Sequence, residues 1–240
     1  MKTNKTVIVT GASQGVGACL VKTFCERGYQ VVATARNMAK SGLQASRQLA
    51  LVDGDIGEES TAHQIVATAI EQYGGIDTLV NNAGIWLGKP FTEYTPEDIK
   101  QLIATNLYGF LYLTQLVVKQ MLEQKREGSV VSITSAMVDH PIAGVPASVA
   151  MITKGGIESI SQDLAMEYAK DGIRFNTVAP GIVDTPMHQN DPQAFLRTLS
   201  PMGSISDARE IVDAVVFMAE APHITGEVLH VDGGAHVGKW

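Results

Sequence analysis

Cysteine is scarce: Cys19 and Cys25 are the two in 240 residues, and both fall in one helical stretch. Six positions apart, they point about 240° away from each other around a helix axis. They cannot bridge within that helix. Lacking metal-ligand spacing as well, they exclude a disulfide scaffold and suggest a reducing, cytoplasmic setting with both thiols packed inside. Positive charge is in short supply too. The chain has 18 Lys+Arg against 25 Asp+Glu, a formal charge of −7. Generic nucleic-acid binding needs clustered cations to neutralise phosphates, so it is excluded. The densest basic stretch, 119–126, is broken by Met121 and Glu123 and reads as a solvated helix face. No apolar run approaches the ~18 residues of a membrane span, and the first nine residues lack the apolar core of a signal peptide. The six histidines are scattered, none set at i,i+4 to a partner ligand, so no catalytic metal is expected.

Hydrophobic residues make up 45 % of the chain, ample for a core. They come in short β-branched runs that alternate with longer helical patterns. Strands are expected at 6–10, 30–34, 49–52, 76–80, 129–134, 174–178 and 228–231. Helices are expected at 17–28, 60–73, from 96 past Asn106 to near 128, across 155–170, and at 211–220. Thr95 followed by Pro96 reads as an N-cap with proline in the first turn. The strands are continuous Val/Ile runs instead of alternating ones, as a sheet covered on both faces requires. No linker, repeat or low-complexity tract divides the chain. The expected fold is a single α/β domain over 1–240, a Rossmann-like doubly wound parallel sheet with helices on both faces. The weakly patterned stretch at about 187–204 is expected to be a substrate lid.

The first strand runs into Thr10-Gly11-Ala12-Ser13-Gln14-Gly15-Val16-Gly17 and then a helix. Glycines there let backbone N–H groups approach a pyrophosphate, and the helix start stabilises its charge. The spacing resembles the T-G-x-x-x-G-x-G turn of the short-chain dehydrogenase/reductase family, and the likeness runs the length of the chain. Asn81-Asn82-Ala83-Gly84 resembles that family's N-N-A-G motif, and Pro180-Gly181 with Thr185 its P-G-x-x-x-T segment. The resemblance assigns cofactor contacts to Gly11, Ser13, Gln14, Gly15, Val16, Gly17, Asp55, Ile56, Asn82, Ala83, Gly84, Lys154, Pro180, Gly181, Val183 and Thr185. It assigns active-site roles to Asn106, Ser135 and Lys154. Asp232-Gly233-Gly234 closes the chain as the family does. It also implies a homotetramer or homodimer, with long helices around 95–120 and 150–170 at the contact.

The second strand ends in Ala35, where an NAD-specific site would carry a carboxylate for the ribose 2′-hydroxyl. Arg36 follows, and a cation there pairs with a 2′-phosphate, so NADP(H) is the expected cofactor. The family's proton-donating tyrosine would stand four residues before Lys154, on the same helix face. Ala150 stands there, and no tyrosine lies between Tyr112 and Tyr168. Three readings follow. The first is a carbonyl reductase with another acid, either Lys154 through a water held by Asn106 or His140. The second is a dinucleotide-binding sensor or scaffold without turnover. The third is an alanine installed in place of a native tyrosine. Ser148, nearby, reads as a helix N-cap. Trp86, Met137, Val145, Met187 and Phe195 are expected to line a mostly apolar substrate end, suited to a small apolar or aromatic carbonyl compound, activated dicarbonyl types included. A 3-oxoacyl ketoreductase is the alternative substrate reading.

Overall fold

The computed structural model describes residues 5–238. The elements run β1 (Thr6–Thr10), α1 (Gly15–Glu26), β2 (Gln30–Ala35), β3 (Leu49–Asp53), α2 (Glu59–Tyr73), β4 (Thr78–Asn81), α3 (Pro96–Leu102), α4 (Gly109–Gln124), β5 (Gly128–Ile133), α5 (Ser148–Tyr168), β6 (Ile173–Pro180), β7 (Val183–Asp184), α6 (Gln193–Arg197), β8 (Ser206–Asp207), α7 (Ala208–Glu220) and β9 (Val228–Val231). Seven strands form one parallel sheet in the order β3-β2-β1-β4-β5-β6-β9. The two-residue strands β7 and β8 pair separately. The order reverses at β1, so the crevice beyond the carboxyl ends of β1 and β4 is where such a sheet binds ligands.

Every residue of β1 is buried, because successive side chains feed opposite cores. Val7 and Val9 pack with Leu20, Phe24, Ile211 and Val215 on the α1/α7 face. Ile8 packs with Ile65, Leu113, Val117 and Phe175 on the α2/α4 face. Each such aliphatic side chain taken fully from water contributes about 1.5–3 kcal/mol. A third, smaller cluster of Leu102, Met137, Ala147, Val149 and Ala150 sits beyond the sheet, with Trp86 and Val145 packed on it.

Several expectations needed correcting. Cys19 is exposed and Cys25 only half-buried, so the two thiols are not both interior packing residues. Ser148 is the first residue of α5, exposed and not a cap; Ala147 holds the cap position and no side chain caps it. That helix starts where Val149 and Ala150 find the third cluster, so packing sets its beginning instead of a capping side chain. The fourth strand begins at Thr78, two residues later than expected. Thr95 does cap α3, as one half of a capping box with Asp98. The turn between α3 and α4, Ile103–Tyr108, is a π-helix carrying Asn106. With it, Pro96–Gln124 forms one continuous 29-residue helix, long and apolar enough by composition to cross a membrane, although no unbroken apolar run in it approaches the length of a span. Its apolar positions Leu113, Val117 and Met121 are spent on the sheet core. Two His/carboxylate pairs do stand at i,i+4, His63 with Glu59 and His236 with Asp232. Among the described residues, however, no group of three or more His, Cys, Asp or Glu side chains is arranged to hold a metal.

Candidate active site

The floor of the site is the turn from β1 into α1, clamped by the segment after β4. Asn82 Nδ2 donates to the carbonyls of Thr10 (2.7 Å) and Gly11 (3.2 Å). The Thr10 hydroxyl accepts from the backbone N–H groups of Asn82 (3.0 Å) and Ala83 (2.9 Å). This interlock explains two of the glycines. Gly11 has φ +65°, and a Cβ on it would lie 2.8 Å from Ala83 Cα. A Cβ on Gly17 would lie 2.6 Å from Asn82 Nδ2 and run into the Gly11 carbonyl. No side chain caps the N-terminus of α1, so its first amides keep their donors for a ligand. A bare helix start over a glycine cradle fits the pyrophosphate of a dinucleotide.

Above this floor opens a cavity of about 490 Å³, within the range for a small-molecule site. It brings together residues far apart in the chain: Gly11, Gln14, Gly15, Val16 and Gly17 from the turn, Asn82, Ala83 and Gly84 after β4, Ser135 after β5, Lys154 on α5, and Pro180, Gly181, Val183 and Thr185 after β6. Trp86, Met137, His140, Val145, Met187 and Phe195 line its other end. Five expected residues do not line it. Arg36 is exposed at the end of β2 and Ser13 is half-buried in the turn. Asp55 accepts from the Gly57 N–H (2.9 Å). Ile56 is buried in the core against Gly109. Asn106 lies behind the wall, 2 % exposed. Its Oδ1 accepts from the Ile85 N–H (2.8 Å), and its Nδ2 donates to the Ile85 carbonyl and the Thr153 hydroxyl, both at 3.1 Å. It therefore pins the segment after β4 to α5.

Sequence reasoning missed the contact of His188 Nδ1 with Asp191 Oδ2 at 2.8 Å, both residues lying on the cavity wall. The three-residue spacing in that polar stretch was the available signal. It also missed Ala235, which reaches the wall from the C-terminal segment.

Lys154 stands at the junction of the two ends. Its ammonium donates to the Ile133 carbonyl (2.7 Å), and a Cβ on Gly84 would lie 3.2 Å from Nζ. Protein surrounds it on every side except the cavity. Burial pushes its pKa down from 10.5 to about 8, against the pull of the Glu158 carboxylate, which raises it. Ser135 lies on the same wall, its hydroxyl accepting from the Met137 N–H (3.3 Å). Ala150, one turn before Lys154, is 1 % exposed in the third cluster. None of the six tyrosines lines the cavity.

Residues 11–236 match the family described as enoyl-(acyl carrier protein) reductase. Glucose 1-dehydrogenase of Gluconobacter oxydans is 35 % identical over 247 residues, which cover 96 % of this chain and 91 % of that protein. Among solved structures, 3-ketoacyl-(acyl-carrier-protein) reductase from Brucella melitensis complexed with NADH superposes with a TM-score of 0.90 at 27 % identity, over 97 % of this chain and 98 % of that one. ElxO with NADP bound superposes with a TM-score of 0.91 at 26 % identity, over 98 % and 100 %.

Proposed function

The chain belongs to the short-chain dehydrogenase/reductase family of NAD(P)-dependent oxidoreductases, and on that premise we propose that it reduces a small apolar or aromatic carbonyl compound with NADPH, Lys154 supplying the proton that a tyrosine supplies elsewhere in the family. The observation that carries this reading is the cavity wall itself. Lys154 and Ser135 face the same space, and Ala150 offers no donor there. When bound, the nicotinamide supplies a hydride. The chain's own residues do the rest. The Gly11–Gly17 turn and the α1 N-terminus hold the pyrophosphate. Arg36, exposed beside the expected adenosine ribose, pairs with a 2′-phosphate. The Ser135 hydroxyl orients the carbonyl oxygen, and the Lys154 ammonium donates its proton to that oxygen, directly or through one water. An amine with pKa about 8 stays charged at neutral pH yet gives up its proton far more readily than a free lysine, which suits a general acid. His140, on the exposed rim of the same cavity, is the second candidate donor. Losing the usual acid costs about 10²–10⁴-fold in rate, so an activated carbonyl such as a dicarbonyl or keto ester is the better substrate.

Trp86, Met137, Val145 and Phe195 make the substrate end apolar, and 187–204 acts as its lid. Exposed Ile152 and Met166 on α5 support assembly through that helix and α4. A 3-oxoacyl thioester is the second substrate reading, favoured by the Brucella reductase structure. Lys154 is, however, the one Lys or Arg on the described cavity wall, and Arg197 lies outside it. NADPH oxidation against ketones, diketones, keto esters and a 3-oxoacyl thioester tests both readings. Turnover of the activated apolar carbonyls is expected. Tight NADPH binding with no turnover of any of them leaves a dinucleotide sensor and removes the reductase.

A further inference from the structure

One helical turn beyond Lys154, on the same face of α5, lies a carboxylate that the chemistry above does not use. Glu158 is 7 % exposed, and its Oε1 has no hydrogen-bond partner. A buried carboxylate with an unpaired oxygen is costly to keep. Burial pushes its proton affinity up, Asp139 pushes it further, and Thr134, His230 and Lys154 pull it back. Those four groups come from four separate parts of the fold. Thr134 directly follows β5, Asp139 comes five residues later, His230 is on β9, and Lys154 shares the helix. His230 in turn holds Asp139, Nε2 to Oδ2 at 2.7 Å. Its ring stacks on that of His236, centroids 3.8 Å apart and planes within 16°. His236 holds Asp232, Nδ1 to Oδ2 at 2.9 Å. Both imidazoles are partly open to solvent.

We propose that Glu158 is the positioning residue that keeps Lys154 charged between reductions. The inference rests on Lys154 being the donor in the proposed reduction. In the step itself, the Lys154 N–H bond breaks as the product O–H bond forms, and the electron pair arrives as hydride from the nicotinamide. The neutral amine is then reprotonated from solvent once the product leaves the cavity. The net reaction consumes one carbonyl, one NADPH and one solvent proton. A carboxylate suits this place because a negative charge close to an ammonium stabilises it.

The test is Glu158→Gln, which keeps shape and removes charge. Trace acetylation of the cofactor-free protein across pH, read peptide by peptide by mass spectrometry, gives the midpoint at which the Lys154 amine becomes reactive. The expected midpoint in the variant is lower by about one pH unit. The basic limb of its kcat–pH profile moves by the same amount, with the KM for NADPH within about twofold of wild type. An unmoved labelling midpoint overturns the coupling of Glu158 to Lys154. Should the wild type turn over no carbonyl at all, the reductase reading falls, whereas the labelling midpoint still decides the Glu158–Lys154 pair.

Discussion

Replacing Lys154 by methionine separates what this residue does for chemistry from what it costs the fold. The folded protein holds the Lys154 proton with a pKa of about 8, against the usual 10.5. Below pH 8 the amine is charged in both folded and unfolded chains, and the full penalty of burying the charge is present. Between 8 and 10.5 the unfolded chain binds more protons than the folded one, so this group makes stability rise with pH. Above 10.5 it is neutral in both states and the penalty is gone. A difference of 10.5 − 8 = 2.5 units corresponds to about 3 kcal/mol at 1.36 kcal/mol per unit. The variant also loses the bond to the Ile133 carbonyl, about 1 kcal/mol, and leaves Glu158 without its cation. Those losses offset the whole curve and add no slope between pH 8 and 10.5. Urea unfolding of the cofactor-free wild type and Lys154→Met from pH 7 to 10.5 reads the difference directly, because every other titrating group is shared. The expected result is that wild type gains about 3 kcal/mol on the variant over that range. Parallel curves, or a wild type that loses ground as pH rises, would refute the burial argument and with it the readiness of Lys154 to act as an acid.

Three further outcomes follow from the same geometry. Carbonyl reduction should be full below pH 8 and fall as pH rises through it, since the donor must be protonated; a steady-state profile flat to pH 10 would point away from Lys154. Gly17→Ala forces a methyl into Asn82 and the Gly11 carbonyl. It should destabilise the protein by roughly 2–4 kcal/mol in thermal melts and abolish NADPH fluorescence enhancement, so normal binding in that variant would mean the turn does not cradle a pyrophosphate. Arg36→Glu should weaken NADPH by about tenfold or more, about 1.4 kcal/mol, and spare NADH; equal losses for both cofactors in a binding titration would remove the 2′-phosphate assignment.

The sheet was legible because its physics is local. A short β-branched, mostly apolar run marks a strand, and 6–10 and 228–231 announced themselves with the boundaries that the structure shows for the buried β1 and the half-buried edge strand β9. The glycine turn was legible for a similar reason: the positive φ at Gly11 and the Cβ-free approach at Gly17 leave little choice of residue. Helix starts were less so, and Ser148 shows why. A serine before a helical run carries the composition of a cap, but here the third cluster draws Val149 and Ala150 inward and the helix begins without one. Cys19, read as interior, lies on the outer side of α1, where one residue's shift in helix phase decides between core and solvent. The pairing of β7 with β8 has no local signal at all, since each is two residues long.

By itself the chain's order of residues determined that a parallel sheet would form, that its first turn would accept an anion, and that position 150 carries no phenol. Those follow from periodicity, from backbone sterics and from side-chain identity, which need no partner distant in sequence. Folding alone decided that Asn106 would be enclosed between Ile85 and Thr153, and that Glu158 would be buried without a partner for one oxygen. It also decided that Asp139, His230 and His236 would meet. Proton affinities and contacts of this kind depend on desolvation and on charges brought close across many tens of residues, and only the packed chain supplies either.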